Sequence, residues 1–229
     1  MDKYEIAKKI EKYAPLELAE KWDCSGWAVD AYKCDVKKVM LALTVTEDII
    51  KQAREQSCDM IVSHHPLLFV PFSWRDVNIY SAHTNMDRTE GGTTDKLIKS
   101  FGLKKVENIG DFVRLVSLDS EIDIQDFIRI LKSISPNLRY VNNFNKKTLQ
   151  KIAFCAGSGS EFIPEAFEFG ADGFVTGDLK FHTALESPII VFDIGHFESE
   201  IMILDVFENI LSGGIEVVKA VEKSPFIPI

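Results

Sequence analysis

Cysteine is scarce in this 229-residue chain: Cys24, Cys34, Cys58 and Cys155 are the whole set, and no two show C-x-x-C spacing. Cys58 and Cys155 stand in apolar, strand-like surroundings, so buried free thiols are expected rather than disulfides or a thiolate zinc site. That usage fits a reducing cytoplasm. The sequence also lacks any run near the ~18 apolar residues that a membrane span needs. Its start, MDKYEIAKKIEKYAPLELAE, has no uninterrupted apolar stretch of the export-signal kind. Ile6, Ile10 and Tyr13 fall there at helical spacing and predict a surface helix. Basic residues are the minority, 26 against 35 acidic, for a formal net charge of −9. Such a surface repels nucleic acid and anionic lipid at long range. The lysine pairs at 37–38, 104–105 and 146–147 are too short and scattered for a phosphate track and read as solvated turns. No low-complexity tract or Pro/Gly/Ser linker interrupts the chain, which predicts two tightly joined lobes.

What is present is an ordinary globular composition, 46% hydrophobic, with strands and helices in alternation. VMLALTV (39–45), EDIIKQAREQS (47–57) and DMIVSHHP (59–66) read as strand, helix and strand. KIAFCAG (151–157), SEFIPEAFEFG (160–170) and DGFVTGD (172–178) read the same way. The two runs superpose without a gap at an offset of 113, Ile50 on Ile163, Ala53 on Ala166, Asp59 on Asp172 and Ser63 on Thr176, which suggests a pseudo-repeat. GGTTDKLIKSFGL (91–103) predicts a helix entered through Thr94 and Asp95. FVRLVSL and LRYVNNF carry strand patterns around a helix at about 122–133. IIVFDIG (189–195) leads into a helix over 196–211, followed by the strand IEVVKAV (215–221). The expected fold is α/β, with two similar lobes, residues 1–110 and 111–229, and a metal site in the cleft between them.

All five histidines fall at predicted strand ends or in the turns after them, where open α/β sheets bind ligands. His64 and His65 follow DMIVS and precede Pro66, which forces extended backbone on His65 and ends the strand. Two adjacent imidazoles can converge only where the strand stops, and a polar strand end is the plainer explanation of the pair. In GHFESE, His196 and Glu200 stand four apart at the start of a helix, so one face presents both. In SAHTNMD, Asp87 is a further candidate ligand. His83 reads as a ligand, a partner of a ligand or an acid/base group, in a run through Thr84 and Asn85 that looks like loop. Three histidines and two carboxylates overfill one open catalytic site but suit two ions sharing a carboxylate, and the length and helical mounting of Glu200 favour it as the bridge. Gly157-Ser158-Gly159-Ser160 could hold a phosphate at a helix start, although the Walker lysine is absent and a tight turn is the commoner explanation.

SHHPLLF, SAHTNMD with GGTTDKL after it, GADGFVTGDLKFH and DIGHFESE together resemble the Nif-three-like dinuclear metal-centre family, also known as GTP cyclohydrolase 1 type 2 homologues. The resemblance covers nearly the whole chain. It implies that His64, His65, Asp87, His196 and Glu200 are the ligands of two divalent ions (zinc, iron or manganese), and that the protein assembles as a toroidal homohexamer. Thr44, Cys24, Trp27 and Asp178 depart from the pattern, where aspartate, asparagine, leucine and glutamate are usual. The function this suggests is a metal-dependent hydrolase of the GTP cyclohydrolase kind: water activated by the metals attacks the purine C8, His83 or His182 moves protons, and the Gly157 turn with Lys180 holds the triphosphate. A non-enzymatic metal-binding or regulatory protein is the rival from another class. A nucleic-acid hydrolase comes third, disfavoured by the charge.

Overall fold

The computed structural model describes residues 1–104 and 106–227. In chain order these form α1 (Lys3–Tyr13), β1 (Gly26–Val29), β2 (Lys38–Ala42), α2 (Glu47–Glu55), β3 (Met60–Ser63), β4 (Asn78–Ser81) and α3 (Thr84–Arg88). Then come α4 (Thr93–Ser100), β5 (Val106–Asn108), β6 (Arg114–Asp123), α5 (Ile124–Leu131), β7 (Arg139–Val141) and β8 (Thr148–Phe154). The chain continues through α6 (Ile163–Glu168), β9 (Gly173–Thr176), α7 (Phe181–Glu186), β10 (Ile190–Asp193), α8 (His196–Glu200), α9 (Ile203–Leu211) and β11 (Glu216–Lys219). It divides into two compact units, one of residues 1–92 and 203–223, the other of 93–202 and 224–229. The division falls after Gly92, ahead of the boundary expected near 110, and β5 at 106–108 already pairs with β6 inside the second unit.

The first unit is built on a sheet of order β1-β4-β3-β2-β11. β2, β3, β4 and β11 are parallel, and β1 closes one edge antiparallel to β4. Every residue of β3 and β4 is buried, which is why they read as short unbroken apolar runs rather than alternating ones. Helix α1 begins on Asp2, whose side chain accepts the Tyr4 N–H at 2.8 Å, a cap worth about 1 kcal/mol. Ile6 and Ile10 are fully buried on its inner face. Ile49, Ile50 and Ala53 of α2 join Met40, Ile61 and Ile79 in the core.

The second unit has the order β5-β6-β8-β9-β10-β7, with β8, β9 and β10 parallel and the other neighbours antiparallel. Its strands bury both faces in alternation. Ile152, Phe154, Val175 and Phe192 pack with Phe127 and Leu131 of α5, while Ala153, Phe174 and Val191 pack with Ile163 and Ala166 of α6. A parallel strand, helix, strand run occurs in each unit, β2-α2-β3 and β8-α6-β9. Outside those runs the two sheets differ in strand number and order.

Two sequence readings need correction. The helix expected over 196–211 is two helices, interrupted at Ile201 and Met202. The interruption serves packing, because α8 buries Ser199 and Glu200 in the second unit whereas α9 buries Ile203, Leu204, Phe207 and Leu211 in the first. The run through Thr84 and Asn85 is the one-turn helix α3, with His83 at its N-cap. Phe226 and Ile227 are exposed. Pro228 and Ile229 of the C-terminal SPFIPI, and Lys105 of the second lysine pair, lie outside the described residues. Among the described residues no helix is long and apolar enough to cross a membrane.

Candidate metal centre

In the first unit the donors sit where parallel strands stop. The register sets Ala42 beside Ser63 and Ser63 beside Ser81, and two further backbone bonds carry the ladder past the strand ends, His64 N to Ala42 O and His65 N to Leu43 O. Ser63 Oγ meets Ser81 Oγ at 2.8 Å and donates to the His65 carbonyl at 3.0 Å. This small knot ends β3 and lets neighbouring side chains converge. The rings of His64 and His65 are 5.1 Å apart between centroids, and His83 stands 5.2 and 5.8 Å from them. One ring nitrogen from each of the three lies within 4.8 Å of the others.

Each imidazole is oriented through Nδ1. His64, fully buried, donates Nδ1–H to the Ala82 carbonyl at 3.0 Å, and since a carbonyl only accepts, the lone pair is left on Nε2. His65 Nδ1 meets Thr44 Oγ1 at 2.6 Å, and His83 Nδ1 meets Asp23 Oδ1 at 3.0 Å. Thr44 is itself held, since Glu222 accepts the Leu43 and Thr44 N–H groups at 2.6 and 3.0 Å. Burial pushes the Glu222 carboxyl up, against the pull of those two amides. Asp87 lies one turn along α3, its Oδ1 3.5 Å from His64 Nε2. That separation is long for a hydrogen bond, but it matches the roughly 3.4 Å between two ligands at about 2.0–2.2 Å from one tetrahedral ion. The chemistry of the donors, imidazole with carboxylate, is that of a group that could hold a metal ion.

In the second unit Gly195, at φ +87°, turns β10 into α8 and places His196 at the first position of that helix. His196 Nε2 pairs with Glu200 Oε2 at 2.8 Å, and its Nδ1 with Asp178 Oδ2 at 2.7 Å. The hydrogen bond to Glu200, stronger than the opposing burial, together with Asp178, raises the His196 pKa to about 9. His196 and Glu200 would hold a metal there only with the Nε2 proton gone. The Glu200 carboxylate needs Gly157 behind it: a Cβ on Gly157 would lie 2.1 Å from Glu200 Oε1. Gly177, at the end of β9, is required in the same sense, because a Cβ there would stand 2.7 Å from the His196 backbone nitrogen.

The remaining expectations fare differently. His182 is on α7, exposed, its ring against Phe181, and it joins neither donor cluster. Two amides of the Gly157–Ser160 turn are used within the fold, since the Gly157 and Gly159 N–H groups donate to Ser199 Oγ and Thr176 Oγ1, both at 2.9 Å. The helix after it opens as a 3-10 turn. Asp23 and Glu222 are the residues that sequence reasoning passed over as parts of the site, whereas Thr44 and Gly157 were named there, the one as a departure from the family pattern and the other as a phosphate turn. Asp23 at least stands beside Cys24, one of the positions where the chain departs from the family pattern.

An α/β chain with imidazoles and carboxylates at the carboxyl ends of parallel strands, and a hydrogen-bond partner behind the Nδ1 of His64, His65, His83 and His196, is a candidate metal protein. Comparison with known proteins narrows the class: residues 1–225 match the model of the Duf34/NIF3 (NGG1p interacting factor 3) family, and the chain belongs to that family. It is 33% identical to a Clostridium perfringens protein named GTP cyclohydrolase 1 type 2 homolog, over 97% of both chains. It is 26% identical to the Drosophila melanogaster NIF3-like protein 1, over 98% of this chain and 88% of that one. Among solved structures it resembles reduced HcgD from Methanocaldococcus jannaschii, with TM-score 0.82, 28% identity and coverage of 96% and 97%. The Staphylococcus aureus hypothetical protein SA1388 shares the fold at TM-score 0.88 and 24% identity, over 100% of this chain and 99% of that one.

Proposed function

We propose that His64, His65, Asp87, His196 and Glu200 hold two divalent metal ions, and that the protein is a metal-dependent hydrolase acting on a nucleotide, of the GTP cyclohydrolase kind. The observation that carries the metal reading is the anchoring of the imidazoles: His64, His65 and His196 are each held at Nδ1, by a carbonyl, a hydroxyl and a carboxylate, which leaves Nε2 as the ligating atom. Five such ligands exceed the about three that one open catalytic ion takes. The nucleotide reading is supported by the names of the relatives and by nothing in the donor set itself. Bound there, the ions supply Lewis-acid activation of water and polarisation of a substrate oxygen. His83 takes and returns a proton at Nε2, and His182, exposed on α7, is the second candidate for that task. Lys180, also exposed, is available to a phosphate group. The test is turnover of a nucleotide panel, GTP included, by metal-loaded and chelator-stripped protein. Saturable, metal-dependent product formation is expected with GTP; no turnover of any nucleotide would leave a metal-binding protein without catalysis.

We also propose a homo-oligomer, a hexamer. Leu68, Phe69 and Phe72, which follow His64 and His65 in the chain, and Phe226 and Ile227 in the other unit are exposed large apolar side chains, and exposed apolar surface is what contact surfaces are made of. Light scattering is expected to give a multiple of 25.8 kDa. A single species at the monomer mass would refute the assembly.

A further inference from the structure

The turn that precedes β1 places a carboxylate where the sequence showed only a loop acid. The Asp23 side chain is fully buried, and donors crowd both of its oxygens. Oδ1 accepts the Cys24 N–H at 2.7 Å and faces His83 Nδ1 at 3.0 Å. Oδ2 accepts from Ser25 Oγ at 2.8 Å, Thr84 N at 3.1 Å and Thr84 Oγ1 at 2.5 Å. A carboxylate offers about four lone-pair positions, so this one is saturated, fixed in place and an acceptor only. The hydrogen in its contact with His83 therefore belongs to the imidazole.

We infer that Asp23 is the positioning residue of His83: it sets the ring as the Nδ1–H tautomer and aims Nε2 toward His64 and His65. The His83 N–H to Ser25 Oγ bond at 3.0 Å and the Trp22 ring, edge-on at 6.2 Å, restrain the same residue from two other sides. The local construction recurs in the second unit. His196, like His83, stands at the start of a short helix, four residues before a carboxylate, with a second carboxylate on Nδ1. His64 and His65 instead lean on a carbonyl and a hydroxyl. Of the two carboxylates, Asp23 is buried and Asp178 is exposed. Burying an ionised group is costly unless it is fully hydrogen-bonded, and the donor set around Asp23 meets that condition with His83 as one of its members. A carboxylate so placed holds imidazole in one tautomer and orientation, and replacing it by the amide leaves the geometry while allowing the wrong tautomer.

The inference rests on the proposed function only for what His83 does with Nε2, and the test separates the two. Imidazole nitrogen chemical shifts, recorded on metal-free wild-type protein at alkaline pH, are expected to show His83 as Nδ1–H; finding Nε2–H overturns the inference without any variant. Asp23→Asn, whose side-chain amide can donate to Nδ1, is expected to move His83 to the Nε2–H form. In metal-loaded protein the same variant is expected to keep its metal content and KM while kcat falls on the order of 10²-fold. An unchanged tautomer in Asp23→Asn overturns the inference and leaves Asp23 a clasp for Ser25 and Thr84. Thr84→Val removes one donor from Asp23, the Thr84 hydroxyl, without touching His83, and the tautomer is expected to stay as in the wild type; if it switches there too, loop integrity and not the carboxylate sets it. A switch in Asp23→Asn alone, with a wild type that turns over no nucleotide, upholds the positioning role and sinks the hydrolase reading instead.

Discussion

Replacing Glu200 by alanine is expected to release both metals, whereas His65→Ala releases chiefly one. The physical ground is the place of Glu200: its side chain is 5% exposed, with Oε2 on His196 Nε2 and Oε1 packed over Gly157. A carboxylate with one oxygen on an imidazole ligand and the other held against backbone is confined to a single orientation, as a bridging ligand must be. Gly157→Ala is therefore expected to imitate Glu200→Ala, because the new Cβ takes the position of Oε1. His64→Ala is the less clean comparison. His64 is fully buried and its loss leaves the Ala82 carbonyl without its donor, a cost of about 1–3 kcal/mol that acts on stability before it acts on metal. Elemental analysis of gently purified variants, with thermal melts beside it, reads both effects. Loss of both metals from all of Glu200→Ala, His65→Ala and His64→Ala would show that Glu200 is not the bridge, and a wild type that retains none after refolding with zinc, iron or manganese would remove the premise.

Much of this arrangement was legible because it is local. An apolar four-residue run followed by His-His-Pro announces a parallel strand and its end, and β3 stops at Ser63 as that reading requires. His196 and Glu200 are one helical turn apart, so spacing alone brings them together. What escaped is non-local or too short to show a period. The partner of Asp23 is 60 positions away, and nothing in WDCSGW distinguishes an acid that turns inward from one that faces water. Ile201, Met202 and Ile203 continue the apolar periodicity of GHFESEIMILDVF without Pro or Gly, so the break that divides α8 from α9 leaves no local mark. It follows from β11 pairing with β2, a contact that takes the chain back to the first unit. Helix α3 is a single turn whose one apolar residue is Met86, and it reads as loop for want of a repeating face.

His83→Ala is expected to keep the metals and lose on the order of 10²-fold or more in kcat, the scale of general acid–base catalysis. The metals should survive because the five proposed ligands do not include His83. The fold should survive because of what the variant leaves behind. Asp23 retains the Cys24 N–H, the Ser25 hydroxyl and both Thr84 donors, so no buried charge is orphaned when the imidazole goes. Burial alone would push the Asp23 carboxyl up, but the hydrogen bonds from Thr84, His83 and Ser25 together outweigh it and hold it at about 2. Of these donors only His83 is removed. The variant thus isolates one proton-carrying nitrogen from the rest of the site. Metal content and GTP turnover, followed through loss of the purine absorbance, are measured on the same preparation. Retained metal with lost turnover supports the proton-transfer role. Lost metal would instead make His83 a third imidazole ligand beside His64 and His65, a grouping their ring nitrogens, all within 4.8 Å of one another, would permit.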